Sequence, residues 1–332
     1  MNDDFLTEAR EEPRPEFARA LRQKLRAQEG ETGDAAAGPT RFRWRLASAG
    51  IAATIAVVAL LAVPSVRVAA QGFLDIFRVK RVAAVPTDFK RLDRLDERLD
   101  MKTFMGDQIQ TLTDPGAMQT LDSVEAAAGV SGLELQQPTK LPNGFTGPTV
   151  RYRAPGMFRI TADMNKVQTI LDTLEIDDME VPWEANGATF TVKTPAVVAM
   201  IYRRGDGEIV FDQARTPEVD LPPGVDLGRL GEIALRVQGL SANEAKAFAK
   251  TIDWSSTLVI PVPMMGSEYH QVDLKGTKGL LITMQHGRRP DGTRVTKGPR
   301  RSALIWTTND HVYSLTGSGN GSDLLHVAHS IR

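Results

Sequence analysis

The longest apolar stretch of the chain covers residues 46–66, LASAGIAATIAVVALLAVPSV, and carries no charge. As a helix it would extend about 31 Å, close to the ~30 Å hydrocarbon core of a bilayer. A helix is the one single segment that satisfies its own backbone in lipid, so the pattern predicts a transmembrane helix. Ala47, Ser48, Ala49, Gly50, Ala52 and Ala53 crowd its first half, a composition that allows close helix contact. A buried soluble helix would show a polar stripe, and this run has none. The better rival is a cleaved signal peptide, with Val68-Ala69-Ala70 as its cleavage site. Against it stand the 45 preceding residues and the interruption at Arg67. Arg41, Arg43 and Arg45 lie just before the run with Trp44 among them, and Arg67 alone lies just after. The nearest charges therefore predict a cytoplasmic N-terminus.

The apolar spacing continues helically to Val82, where Phe73, Leu74, Ile76 and Phe77 alternate with Arg78, Lys80 and Arg81. This reads as an interfacial extension of the membrane helix. Residues 88–99, DFKRLDRLDERL, place Phe89, Leu92, Leu95 and Leu99 three and four apart. That predicts an amphipathic helix packed on its own domain; the repeat is too short for a coiled-coil stalk. Residues 100–121 have no clear period. Four segments follow: a cytoplasmic tail at 1–45, the membrane helix with its extension at 46–82, a juxtamembrane linker or helix at 83–120, and an extracytoplasmic domain at 121–332.

In that last segment, strands are expected near 149–153, 157–163, 188–193, 197–203 and 208–214. Gly205-Asp206-Gly207 marks a hairpin between the last two. Further strands are expected at 257–262, 270–274, 279–285, 302–308 and 311–315. Helices are expected at 122–128, 165–175, 226–237, 241–252 and 322–331, and Ser241 with Glu244 matches a capping box. Strands and helices come in runs, which predicts an α+β domain: an antiparallel sheet with helices on one face. A weak echo links Gly239, Ser241 and the helix to Ile252 with Gly317, Ser322 and the helix to Ile331. A duplicated strand–helix unit, and so two similar sub-units, would explain it; so would ordinary helix grammar.

Composition narrows the chemistry. The 40 Lys and Arg nearly balance the 41 Asp and Glu, so bulk charge makes no case for nucleic-acid binding. The absence of cysteine excludes disulfides, thiolate zinc sites, iron–sulfur clusters and a cysteine nucleophile. His326 and His329 share a helix face near Asp323, but a zinc site needs a third strong ligand. The Gly317–Ser322 loop lacks the lysine of a phosphate-binding loop. Glu175, Asp177, Asp178 and Glu180 form an acidic cluster without calcium-loop spacing. No catalytic, cofactor or metal residue is predicted. Two candidate contact sets remain. Phe17, Leu21 and Leu25 recur on one face of a helix at about 15–27, which is either a solvated surface helix or one that docks on a cytoplasmic protein partner. Arg288, Arg289, Arg294, Lys297, Arg300 and Arg301 surround the single Asp291 and would touch an anionic surface such as lipid headgroups, unless they are a solvated hairpin tip.

The C-terminal pattern is a strand with Trp306, a turn, a strand with Tyr313, a break at Gly317 and a helix with Leu324, Leu325, Ala328, Ser330 and Ile331. It resembles the end of an uncharacterised bacterial family of membrane-anchored proteins, some of which follow anti-sigma-factor-like N-terminal regions. Leu141-Pro142-Asn143-Gly144-Phe145 is similar to that family's Leu-Pro-x-Gly-Tyr/Phe step. The resemblance covers roughly residues 120–332. It implies an α+β extracytoplasmic domain and brings no catalytic residues. The chain lacks the His and two Cys of the usual anti-sigma zinc motif in that it has no cysteine. The expected function is a single-pass membrane protein with a non-enzymatic sensing or binding domain and a tail that regulates a partner such as a sigma factor. The alternative is an envelope enzyme or a lipid- or glycan-binding carrier.

Overall fold

The computed structural model describes residues 79–254, 256–284, 301–308, 310–318 and 321–332. The expected membrane helix, the 15–27 helix with Phe17, Leu21 and Leu25, and the basic residues 288–300 lie outside the described residues. The described part is α+β, with mostly antiparallel strands and seven α-helices.

The first strand overturns an expectation. Arg81–Thr87 is β1, where a helical extension to Val82 was expected, and it pairs in parallel with β10 (Thr257–Pro263) over seven positions. Val82, Val85 and Thr87 are β-branched and Pro86 cannot continue a helix, so the local chemistry favours the strand. Helix α1 (Phe89–Leu99) follows at once, with Asp88 as N-cap accepting from the Arg91 amide. Residues 100–121, which lack a period, form the short α2 (Met101–Met105), β2 (Ile109–Thr113) and β3 (Gln119–Leu121). The fold therefore begins well before residue 121.

Three sheets replace the single one expected. Strands β4 (Thr146–Arg153), β7 (Val197–Arg204), β8 (Gly207–Arg215), β11 (Ser267–Leu274), β12 (Thr277–Met284), β13 (Arg301–Thr308) and β14 (His311–Ser318) join β3 in an eight-stranded sheet, ordered β11-β12-β13-β14-β8-β7-β4-β3. Strands β5 (Gly156–Thr161), β6 (Thr189–Thr194) and β9 (Glu218–Asp220) join β2 in a four-stranded sheet, and β1 with β10 makes the third. The β7–β8 hairpin turns at Gly205-Asp206, and Gly205 takes the left-handed conformation (φ 53°) that a tight hairpin turn requires.

Two large cores hold the sheets. On one face of the eight-stranded sheet, Phe211, Trp306 and Tyr313 stack with centroids 5.3–6.1 Å apart. Beside them Leu304 and Leu315 are fully buried under Leu324 and Val327 of α7 (Gly321–Ser330). Helix α3 (Val124–Ser131) covers the same face further along, through Ala127 against Val150 and Val198. Gln213, buried on this face, accepts from the Gln136 amide and donates to its carbonyl, clamping the segment between α3 and β4. The second core gathers β5, β6, α4 (Met164–Thr173), α5 (Leu227–Val237) and α6 (Ala242–Thr251) around Ile160, Phe190, Leu171 and Leu230. The α6 capping box is formed: the Ser241 hydroxyl accepts from the Glu244 amide, and Glu244 accepts from the Ser241 amide at 2.9 Å. In the sequence echo, helix α5 precedes Gly239 whereas strand β14 runs into Gly317, so the echo is not a repeated strand–helix unit.

Strand β1 joins the second core to a smaller cluster on the other face of the large sheet. Val82 and Ala84 pack with Leu280, Ile282 and Ala303 of the large sheet, whereas Val79 and Val85 belong to the second core. Thr87 donates to the Gln238 side chain, and the Asp88 amide bonds the Gln238 carbonyl, locking the end of β1 to the end of α5. A fragment starting at residue 121 should therefore lack cooperative unfolding in a denaturant titration followed by tryptophan fluorescence. A fragment starting at 78 should retain it.

Candidate functional site

Register fixes which side chains share each face of the large sheet, because directly paired residues point the same way. One row reads Leu280, Ile305, Ser314, Asp212, Ala199 and Arg151 from β12 to β4. The neighbouring rows add Thr149, Val210 and Thr316 on one side and Arg153, Ala214 and Val312 on the other. This is the face opposite the aromatic stack. Its β12–β13 end is covered by β1 and β10. Toward β4, Thr149, Arg151, Arg153, Val210, Asp212, Ser314 and Thr316 are half-buried, and the face turns polar.

Asp212 sits at the centre of that polar half. The Ser314 hydroxyl donates to it at 2.9 Å from the adjacent strand. Its side chain keeps some solvent contact yet is crowded by protein atoms. Desolvation pushes its pKa up to about 6, against the opposing pull of the Ser314 bond and the Arg153 charge. A carboxyl group poised there exchanges a proton near neutral pH, and Arg151 and Arg153 of β4 lie on the same face of the sheet. Two features of the sequence pointed toward this site: the period-two pattern of β8, and an aspartate on its non-core side. Its neighbours come from strands remote in the chain, which no local pattern reveals.

The other candidates resolve as follows. Asp178 pairs with Arg236 and Glu180 with Arg229 (3.4 Å), both arginines lying on α5, so two of the acidic cluster's carboxylates serve as ion-pair partners. His329 contacts the Leu325 carbonyl through Nδ1 at 2.7 Å, and among the described residues no group of acidic and histidine side chains is placed to hold a metal ion. Arg301 opens β13, exposed, opposite Met284 of β12 and Ser318 of β14; the other five basic candidates lie outside the described residues. A small apolar recess of about 50 Å³ between Met105, Met164, Val167 and Leu230 falls below the several hundred Å³ of ordinary small-molecule pockets.

The raised pKa of Asp212 has a definite sign in stability. Between the ordinary carboxyl value of 3.8 and about 6 the folded chain holds a proton that the unfolded chain releases. The stability this group allows is full below the lower value and is lost as pH rises through the upper one. Asp212→Asn keeps an acceptor for Ser314 and removes the charge. The variant should be more stable than the parent by about 1–3 kcal/mol at neutral pH, with the gap closing toward acid, as read from denaturant midpoints across that range. Comparison with protein families, with curated proteins and with solved structures finds no match.

Proposed function

We propose that this chain is a single-pass membrane protein whose 79–332 portion lies outside the cytoplasm and binds or senses a ligand without catalysing a reaction, while its N-terminal tail contacts a cytoplasmic protein such as a sigma factor. The observation that carries this reading is the uncharged run at 46–66 and its distance from the fold. Twelve residues separate Val66 from Val79, the first buried residue of the second core. Fully extended they reach about 45 Å, so the run would hold the folded body close to the bilayer. Among the described residues no helix is long and apolar enough to cross a membrane; the run lies outside them. The half-open polar face around Asp212 is the surface we assign to the ligand. The alternative of an envelope enzyme or carrier draws on the same residue, because perturbed carboxyl groups cluster at functional sites.

The test is topological. The full-length protein should stay in the membrane pellet after an alkaline carbonate wash. Protease added to spheroplasts should degrade the folded body while leaving an epitope at residue 1 intact. Release into the soluble fraction with that epitope retained would overturn the membrane reading. Failure of a 1–45 bait to retain any cytoplasmic protein would remove the regulatory half.

A further inference from the structure

Helix α1 sorts its charges. Arg91, Arg94 and Arg98 follow one another at three and four residues and line one face, whereas Asp93, Asp96 and Asp100, with the same spacing, occupy the far side. The arginine face meets the C-terminal end of α4. Arg91 Nη2 donates to the Leu174 carbonyl at 3.2 Å and Arg98 Nη1 to the Thr173 carbonyl at 3.1 Å. These bonds satisfy carbonyls that a helix end leaves unpaired, and by themselves they would make the arginines a cap.

Capping does not account for the whole arrangement. Arg94 makes no hydrogen bond or ion pair with the described residues, and neither Arg91 nor Arg98 has a carboxylate within ion-pair distance among them. Arg91 Nε is buried without an acceptor, as is Nε of the nearby Arg236. Burial and the Arg236 charge both disfavour the Arg91 cation. Asp88 is committed to the positive end of α1, and Asp178 to Arg236. Against the three arginines stand Asp88 and Glu175, whose charges both favour the Arg91 cation, and the negative end of α4, so the guanidinium groups still outnumber the carboxylates that answer them. Between these groups opens a cleft of about 160 Å³, bounded by Arg91, Arg94, Arg98, Thr173 and Glu175. That is the share of about five waters, enough for a small oxoanion.

We propose that this cleft binds a phosphate group, either free or as the headgroup of an anionic lipid. Three guanidinium groups, two of them fixed in place by the carbonyls they cap, line one cleft with several N–H donors, and phosphate offers acceptors all round and a negative charge. The inference does not rest on the membrane reading, since the cleft lies wholly within the described fold.

The full-length chain, purified in a nonionic detergent, provides the test. Inorganic phosphate titrated at constant ionic strength should raise the thermal midpoint saturably, whereas chloride and acetate should not. Arg94→Gln removes one charge-assisted donor without breaking a bond of the fold. It should leave the midpoint without phosphate unchanged and weaken the phosphate response about tenfold, with Arg94→Lys falling between. Mixed micelles of phosphatidylglycerol competing with phosphate would identify the headgroup as the source; absence of competition would identify free phosphate. No saturable phosphate effect, an equal effect of acetate, or an unaltered response in Arg94→Gln would each overturn the proposal.

Discussion

Everything described depends on one parallel pairing. A two-stranded sheet is marginal in water, and the β1–β10 pair persists because both its faces are covered. Val82 and Ala84 close one end of the eight-stranded sheet, and Val85 enters the core built by α4, α5 and the four-stranded sheet. Strand β1 thus ties the β12–β13 end of the large sheet, on the face opposite the aromatic stack, to the second core. It also sets where α1 starts, since the chain turns from Thr87 into the Asp88 cap with Gln238 fixing both residues. The arginine cleft exists because α1 is held against the end of α4 by this joint.

The elements legible in the sequence were those whose signal is local. The Gly205-Asp206 turn, the Ser241–Glu244 box and the strands β7, β8, β13 and β14 all appear where turn, cap and strand signals place them. Strand β1 reads as a helix in sequence because apolar residues occupy both its faces. A strand of that kind shows a continuous apolar run, and following a long apolar segment it merges with the helix before it. The distinguishing signs were Pro86 and the β-branched Val82, Val85 and Thr87. Strands β2, β3 and β9 are three to five residues long and owe their existence to partners in the fold.

The candidate sites divide in the same way. The arginine stripe of α1 could be read from its spacing, but its meaning could not, because the carbonyls that fix it belong to a helix some eighty residues away. The acidic cluster shows no ligand spacing in sequence, and two of its four carboxylates, Asp178 and Glu180, are ion-pair partners because α5 brings Arg236 and Arg229 to them. Spacing along a chain identifies which groups share an element; it says nothing of which groups answer their charge.

That distinction bears on Asp212. An acid placed in the middle of an eight-stranded sheet weakens the fold at neutral pH, since its charge is desolvated and a single serine hydroxyl with the field of Arg153 compensates only in part. Alanine or valine at this position would suit the strand, as Ala199 and Val210 do beside it. On the opposite face the polar exception, Gln213, is fully used as a clamp on residues before β4. Asp212 clamps nothing beyond its neighbour's hydroxyl. A stabilising role therefore fails to explain it.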